Sequence, residues 1–552
     1  MRKYLYATAM LLLLFIGVML VMSWAKAKHV ASYLEEFRPI GGVNNNLARP
    51  ELNAVPNAPE LAIAPLNFAN AVTLELIDGP NPRTISNRIA GAAGANGDDS
   101  QTTDASASAW LYVFGQFVDH DLRLEFSSPA SQAIPIAVPS GDPVFKDGTV
   151  IDMRRDTKNP LTSTTINTVA GYLDLSQLYG STPAVAAALR DADGFLISSH
   201  EGQALPIVDG RFVSGDARVG ENPEITAVTT LFMREHNHWV RTLRAQHPGW
   251  SGGQLYDMAK AITTGEYQNI IYNEFLPLLI GAVIKPYVAY DAQVNPQVTQ
   301  EFSSAAFRVG HSQVSETQSG IDNLGKVTYS QSLAQAFFNT PEETLSNGLN
   351  ALLRNVTNEY AQATDVYTVP VLRNMLFAPL QGGLVDQFDL VAINIQRGRD
   401  LGLGSLNQTR KALALAPYTT FAELTDDVAL QLQLKSVYGE VDRIDLFMGG
   451  LAERHAGGAT VGETFQTIIK RQFIALRDGD RFFWRNQSFD PATRQIIADT
   501  RLSDILRRNT DSTNVPDTVF VGHSGSPPRR YPHAPAAPVD NHGRLGRPFS
   551  AP

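Results

Sequence analysis

The stretch Trp110 to Phe126, WLYVFGQFVDHDLRLEF, sets the tightest limit on what this chain can fold into. Trp110, Val113, Phe114, Phe117 and Val118 recur at the spacing of one amphipathic helix whose apolar stripe faces a core. Into that stripe the sequence sets Gln116, Asp119 and His120, groups that are expensive to bury without a purpose. Gln116 and His120 fall one turn apart on one face, and Asp119 lies on its flank. Asp121 points nearly opposite to Asp119. One short helix thus offers a Gln/Asp/His cluster to one cavity and a carboxylate to a second site behind it. A lone histidine of this kind is more often a satisfied core residue than a functional one, so the reading needs partners elsewhere in the chain.

The 552 residues, 43% hydrophobic and 18% charged, are ordinary for a globular protein. No clear linker interrupts residues 61–521, which read as one large domain. A net charge of −10 without a basic stripe argues against nucleic acid as a partner. Cysteine is absent, which excludes disulfides, zinc thiolate sites and cysteine nucleophiles. Residues 1–27 stand apart. Arg2 and Lys3 precede an apolar run from Ala7 to Met22, and Ala25-Lys26-Ala27 offers a cleavage site. This reads as an export signal, with an uncleaved N-terminal anchor as the alternative suggested by the length of the run. Either places the mature domain outside the cytoplasm, secreted or periplasmic. Residues 28–60 read as an extended arm, and 522–552, Pro-rich and basic, as a disordered tail.

Along the chain, Ile166 to Ser181 reads INTVAGYLDLSQLYGS. Asp174 and Ser176 sit two apart, with Tyr172 two earlier; alternate residues of an extended loop can converge oxygens on a hard cation, although the EF-hand spacing is missing. Taken alone, such a triplet is more often a turn or cap. Arg218 and Glu221 come just before Pro223, which suits the first turn of a long amphipathic helix carrying Ile225, Val228, Phe232, His236, Trp239 and Leu243. His236 and His238 cannot share a helix face, and both read as structural. A further helical run covers Gly253 to Ile280. Residues 300–312, QEFSSAAFRVGHS, read as a helix with Arg308 and His311 three apart. Residues 388–400, FDLVAINIQRGRD, carry Asn394, Arg397 and Arg399; an arginine pair beside an apolar run suits a carboxylate, against the blander reading of surface ion pairing.

Taken in this order, GQFVDHDL, YLDLSQLYGS, GDARVGENPEI with LFMREHN, FRVGHS and AINIQRGRD resemble the animal haem peroxidases, the group of myeloperoxidase, lactoperoxidase and peroxidasin. DLFMGGLAE and RDGDRFFW are similar to the same family, and the resemblance runs from about Arg83 to Phe520. It implies a mainly α fold with little β-sheet, haem b buried between the helices of His120 and His311, and oxidation of halide, thiocyanate or phenolic donors by H2O2. His120 would be the distal acid/base, Arg218 the distal arginine, and Gln116 a distal cavity residue. His311 would ligate the haem iron, with Asn394 accepting a hydrogen bond from its ring. Arg308 and Arg397 would hold the haem propionates. Asp119 and Glu221 match the carboxylates that this family esterifies to haem. Asp121, Asp174, Ser176 and the backbone at Ala170 and Tyr172 match its calcium site.

The physical chemistry agrees with those roles. An imidazole can take a proton from H2O2 and return it to the leaving oxygen, and an arginine beside it stabilises the charge that develops. The chain also departs from the family. Asn222 stands where the family has a sulfonium-forming Met, so no such link is expected. Ala170 replaces the calcium-loop Thr and removes a hydroxyl ligand. Asp400-Leu401-Gly402 replaces DHG, and the family's disulfides are missing. Two rival readings are a fatty-acid dioxygenase of the same superfamily and a non-catalytic adhesion or matrix module on this scaffold. The dioxygenase pattern places a radical-bearing Tyr three residues before the proximal His, where this chain has Arg308. A dead scaffold would not need Gln116, His120, Arg218, His311 and Asn394 together.

Overall fold

The computed structural model describes residues 33–91, 107–127, 130–337, 339–377 and 386–522. The structure is mainly helical, with 46% helix and 10% strand. Strands among the described residues form only two-stranded antiparallel pairs, the longest joining Thr317–Ile321 to Val327–Ser332.

The helix expected from Trp110 runs to Leu122, shorter than the reading to Phe126, because Arg123 turns to extended backbone. Trp110, Phe114, Phe117, Val118 and Leu122 have no accessible surface. Phe117 stacks on Phe232 at 4.9 Å, and Phe114 meets Phe275 edge-on at 5.6 Å and Phe520 at 5.4 Å. Such aromatic pairs combine large buried area with preferred geometry, so they fix the helix in rotation as well as in place. Phe232 belongs to Pro223–Gln246, a long helix capped by Asn222, whose side chain accepts from the Ile225 amide. Beside it Gly252–Ile270 continues through a π turn, Ile271–Phe275, into Leu276–Ile280, as the helical periodicity up to Ile280 predicts.

The segment 300–312 is not the single helix its composition suggests. Gln300–Ser304 ends at Ala305, whose φ of −138° and ψ of −69° leave the helical region. A 3-10 turn, Ala306–Val309, and a short helix, Gly310–Gln313, follow. The break lets Phe307 fold back to stack on Phe302 at 4.6 Å, a tertiary contact that no local breaker residue announces. The stretch carrying Asn394 forms the helix Leu390–Asp400, capped by the Asp389 side chain.

From residue 33 onward the N-terminal arm is fastened to the domain. Arg38 and Asn45 both reach Asp480, at 2.5 and 2.7 Å, and Leu34 is buried. At the other end Val521 bridges Ala107. His236 is buried and held by the Tyr179 hydroxyl and the Gly194 carbonyl, the structural role its position suggests. The export segment at 1–27 and the tail beyond 522 lie outside the described residues, among which no helix is long and apolar enough to cross a membrane.

Phe117 is the ring through which the Trp110 helix grips its neighbours. Phe117→Ala should destabilise the fold by about 3–5 kcal/mol through the cavity it leaves, seen as a lower urea midpoint; an unchanged midpoint would show that the aromatic cluster does not anchor this helix.

Candidate functional site

A cavity of about 1430 Å³ opens between the Trp110–Leu122 helix and the Gly310–Gln313 helix. Eight of the residues singled out in the sequence line it: Gln116, Asp119, His120, Arg218, Glu221, Arg308, His311 and Asn394. Its size exceeds that of ordinary small-ligand pockets, roughly 300–1,000 Å³. It therefore has room for a macrocycle together with a small second reactant. Glu221 keeps 49% of its side chain accessible, and this surface belongs to the cavity wall.

His120 is 4% exposed. Burial, reinforced by the nearby Arg218 guanidinium, pushes its imidazole down to about 4. Its Nε2 lies 3.6 Å from Glu221 Oε2, a contact of a neutral ring at pH 7 rather than an ion pair. Arg218 comes from the 3-10 turn Ala217–Gly220 and is aimed by Asp216, which accepts from both its Nε and its Nη2. The Arg123 carbonyl accepts from the same Nη2 at 2.8 Å. Gly215 lets this turn approach the chain closely: a Cβ there would fall 2.1 Å from the Ser176 carbonyl oxygen. Asn222 donates to Gln116 Oε1 at 3.1 Å while capping its own helix, so the residue in the place of the family's Met orients the distal glutamine.

On the opposite wall, Asn394 is fully buried with Nδ2 2.8 Å from His311 Nδ1. Its Oδ1 accepts from Arg308 Nη1 at 2.7 Å. A guanidinium carries only donors, so Arg308 fixes the amide in this direction. Asn394 therefore donates toward His311, the reverse of the expected bond. With Nδ1 accepting, the proton of the neutral ring sits on Nε2. Burial and Arg308 push the His311 imidazole down to about 3.

Arg397 does not line the cavity, contrary to the role the resemblance gives it. It is held by Asp156 at 3.0 Å and Asp400 at 2.9 Å. Arg399 likewise forms a two-pronged pair with Asp445, the bland reading of this arginine pair. The sequence reading missed Arg123, which lines the cavity and bridges Asp119 at 2.9 Å and Glu125 at 2.8 Å. Its place four residues after Asp119 on the same strip was the available signal. Burial opposes ionisation of Asp119, but Arg123 and Arg218 outweigh it and hold the carboxyl below its ordinary range.

Behind the helix, Asp121, Asp174 and Ser176, three of the residues that the resemblance gives to calcium, come together. Asp121 Oδ2 accepts from the amides of Asp174 and Leu175, and Oδ1 from that of Ser176 at 2.5 Å. Ser176 Oγ donates to the Asp121 carbonyl. Asp174 Oδ1 is buried without a hydrogen-bond partner. Among the described residues there is no cluster of three or more His, Cys, Asp or Glu able to hold a metal. A cation here would rest on two carboxylates, a hydroxyl and the carbonyls of Ala170 and Tyr172.

A largely helical domain with a large cavity walled by two histidines from distant parts of the chain has the form of a haem oxidoreductase. The chain belongs to the animal haem peroxidase family, whose profile matches residues 37–520. It is 30% identical to peroxinectin A of Dictyostelium discoideum over 87% of this chain and 94% of that one. It is 29% identical to lactoperoxidase of Mesocricetus auratus over 90% and 78% respectively. The solved structure of peroxidase A from Dictyostelium discoideum superposes with a TM-score of 0.79 at 28% identity, covering 88% of this chain and all of that one. A fatty acid alpha-dioxygenase of Arabidopsis thaliana shares the fold, with a TM-score of 0.73 at 19% identity over 93% and 89% of the two chains.

Arg123→Gln would leave Asp119 and Glu125 with only their more distant cations, Arg218 at 3.9 Å and Arg308 at 3.3 Å. The folded carboxyl of Asp119 lies below its unfolded value, so this pairing stabilises above the unfolded pKa and is lost as pH falls through the folded one. The variant should lose about 3–5 kcal/mol at pH 7, and the gap from wild type in urea unfolding should narrow below pH 4. A gap constant with pH would show that the pairing is not electrostatic.

Proposed function

We propose that this protein is an exported haem peroxidase that uses H2O2 to oxidise halide, thiocyanate or phenolic donors. The observation that carries the reading is the convergence of His120 and His311, with their partners Arg218 and Asn394, on one cavity. Bound haem would supply the redox couple, ligated at its iron by His311 Nε2. For that nitrogen to offer a lone pair, Nδ1 must carry the proton. Asn394 must then turn its amide to accept it, which releases Arg308 toward a haem propionate. Arg123 would serve the second propionate in place of Arg397. Asp119 and Glu221, both on the cavity wall, would form the ester links.

The chemistry of the chain's own groups follows from their electrostatics. His120 is neutral at working pH, so its ring can accept a proton from H2O2 and return it to the departing oxygen. Arg218, already held by Asp216 and the Arg123 carbonyl, stabilises the charge that develops without moving. Gln116, fixed by Asn222, leaves the cavity polar beside His120 for water or a small anion. Calcium would sit at Asp121, Asp174 and Ser176; the unpartnered Asp174 Oδ1 fits a cation, and Ala170 offers only its carbonyl, so binding should be weak. The basic N-terminus, apolar run and Ala25-Lys26-Ala27 support export.

His120→Ala should lower kcat/KM for H2O2 by roughly 10²–10⁴-fold, and Arg218→Ala should also lower it, in iodide, bromide and phenol assays. Either variant oxidising donors at the wild-type rate would refute the distal assignment. In the wild type, the base form of His120 is lost only as pH falls through about 4. The acid limb of kcat/KM should therefore lie near 4 rather than at the ordinary 6.5.

Denaturing extraction of the purified protein should leave haem attached, metal analysis should find calcium removable by EDTA, and the mature N-terminus should follow Ala27. Free haem in the extract would count against Asp119 and Glu221 as ester residues, and calcium-free protein against the Asp121 site.

A further inference from the structure

One buried pair on the cavity wall has no part in the peroxide chemistry above. Tyr112 lies one turn before Gln116 on the same face of the Trp110 helix. It lines the cavity and is 6% exposed. Its Cβ is 3.8 Å from where a Cβ on Gly310 would stand, so it sits where this helix meets the turn carrying His311. Its hydroxyl donates to Glu224 Oε1 at 3.3 Å, and Glu224, in the first turn of Pro223–Gln246, is buried and also lines the cavity. The other titratable groups facing this pair are Glu359 and Tyr329. A buried carboxylate beside a phenol leaves a lasting cost unless the two share a proton.

A phenol gives up one electron easily only if its proton has somewhere to go at the same time. Glu224 is that place once it is ionised: burial, with Glu359 adding to it, lifts its carboxyl to about 8, so above that pH it is a carboxylate of more than ordinary basicity, hydrogen-bonded to the phenol. We propose that Tyr112 is a redox-active tyrosine, an internal one-electron donor to the peroxide-oxidised haem, with Glu224 as its proton acceptor. The inference rests on the peroxidase reading. In the step, the O–H bond of Tyr112 breaks, one electron reduces the oxidised haem by one equivalent, and the proton passes to the Glu224 carboxylate. A one-electron donor later reduces the phenoxyl, and Glu224 returns the proton. The pair so holds one oxidising equivalent on the protein, apart from the haem, for donors that react one electron at a time.

The test is electron paramagnetic resonance on haem-loaded protein at about pH 9, where Glu224 is ionised, freeze-quenched within milliseconds of adding one equivalent of H2O2. Wild type grown with ring-deuterated tyrosine should give a radical signal narrower than that of unlabelled protein. Tyr112→Phe should lose most of that label-sensitive signal, and Glu224→Gln, which keeps the hydrogen-bond acceptor but not the base, should reduce its yield about tenfold. A nitroso spin trap followed by peptide mapping should place the adduct on Tyr112 in the wild type, which decides the matter even if a variant fails to load haem. An undiminished label-sensitive signal in Tyr112→Phe, or an adduct confined to other tyrosines, would overturn the proposal. A wild-type haem band that shifts with H2O2 while no label-sensitive signal appears would overturn this inference alone. A haem band that does not respond to H2O2 would overturn the peroxidase reading and this inference with it.

Discussion

The carboxylate of Asp121 joins the two halves of the site. It accepts three consecutive backbone amides, from residues 174–176, and its own carbonyl accepts from Ser176. Each of these groups is buried, and each would carry a desolvation cost if left unpaired. The helix that bears His120 is therefore fastened on the side away from the cavity, while Phe114 and Phe117 fix its rotation. The loop it grips reaches the Arg218 turn through the close approach at Gly215. One buried carboxylate in this way sets the relative position of the two distal residues, His120 and Arg218. Leu175 accepts a left-handed φ of 60° within that loop, a strain of order 1–3 kcal/mol that the surrounding bonds hold in place.

Charge around the cavity is arranged so that the histidines stay neutral and the arginines stay occupied. Arg218 is held by Asp216, Arg123 by Asp119 and Glu125, and Arg308 by Asn394 and Glu125. These are partly buried pairs, whose loss is costly because the remaining partner is left uncompensated. Burial, reinforced by Arg218 at His120 and by Arg308 at His311, depresses both imidazoles and keeps both rings neutral. The coupling Arg308–Asn394–His311 has a further consequence. A carboxylate that draws Arg308 away frees the Asn394 amide, and the tautomer of His311 then follows from that release.

Much of this was legible in the sequence, for physical reasons that differ from residue to residue. The Trp110 helix announced itself by period, and Asp121 by falling opposite Asp119 on that period. The start at Pro223 was a local signal and held. The break at Ala305 was not legible, since SSAA contains no breaker and the interruption comes from Phe302 stacking on Phe307. That Arg123 lines the cavity and Arg397 does not was hidden too. It depends on Asp156 and Asp400 reaching Arg397 first, an outcome of tertiary placement. The direction of the Asn394 bond was set by Arg308, which sequence spacing placed near His311 but not in competition for the amide.

Fold similarity does not choose between peroxidase and dioxygenase chemistry, since solved dioxygenases share this architecture at 18–20% identity. The choice lies in what stands on the 3-10 turn before His311. In the dioxygenase pattern that position holds a tyrosine whose radical takes hydrogen from a fatty chain. Here it holds Arg308, buried and bonded to Asn394, Glu125 and the Ser303 carbonyl. A guanidinium cannot be oxidised to such a radical. The cavity does own a phenol in Tyr112, but it is on the other helix, and its hydroxyl is turned to Glu224. A hydroxyl so engaged is not free to meet a C–H bond, as hydrogen abstraction requires.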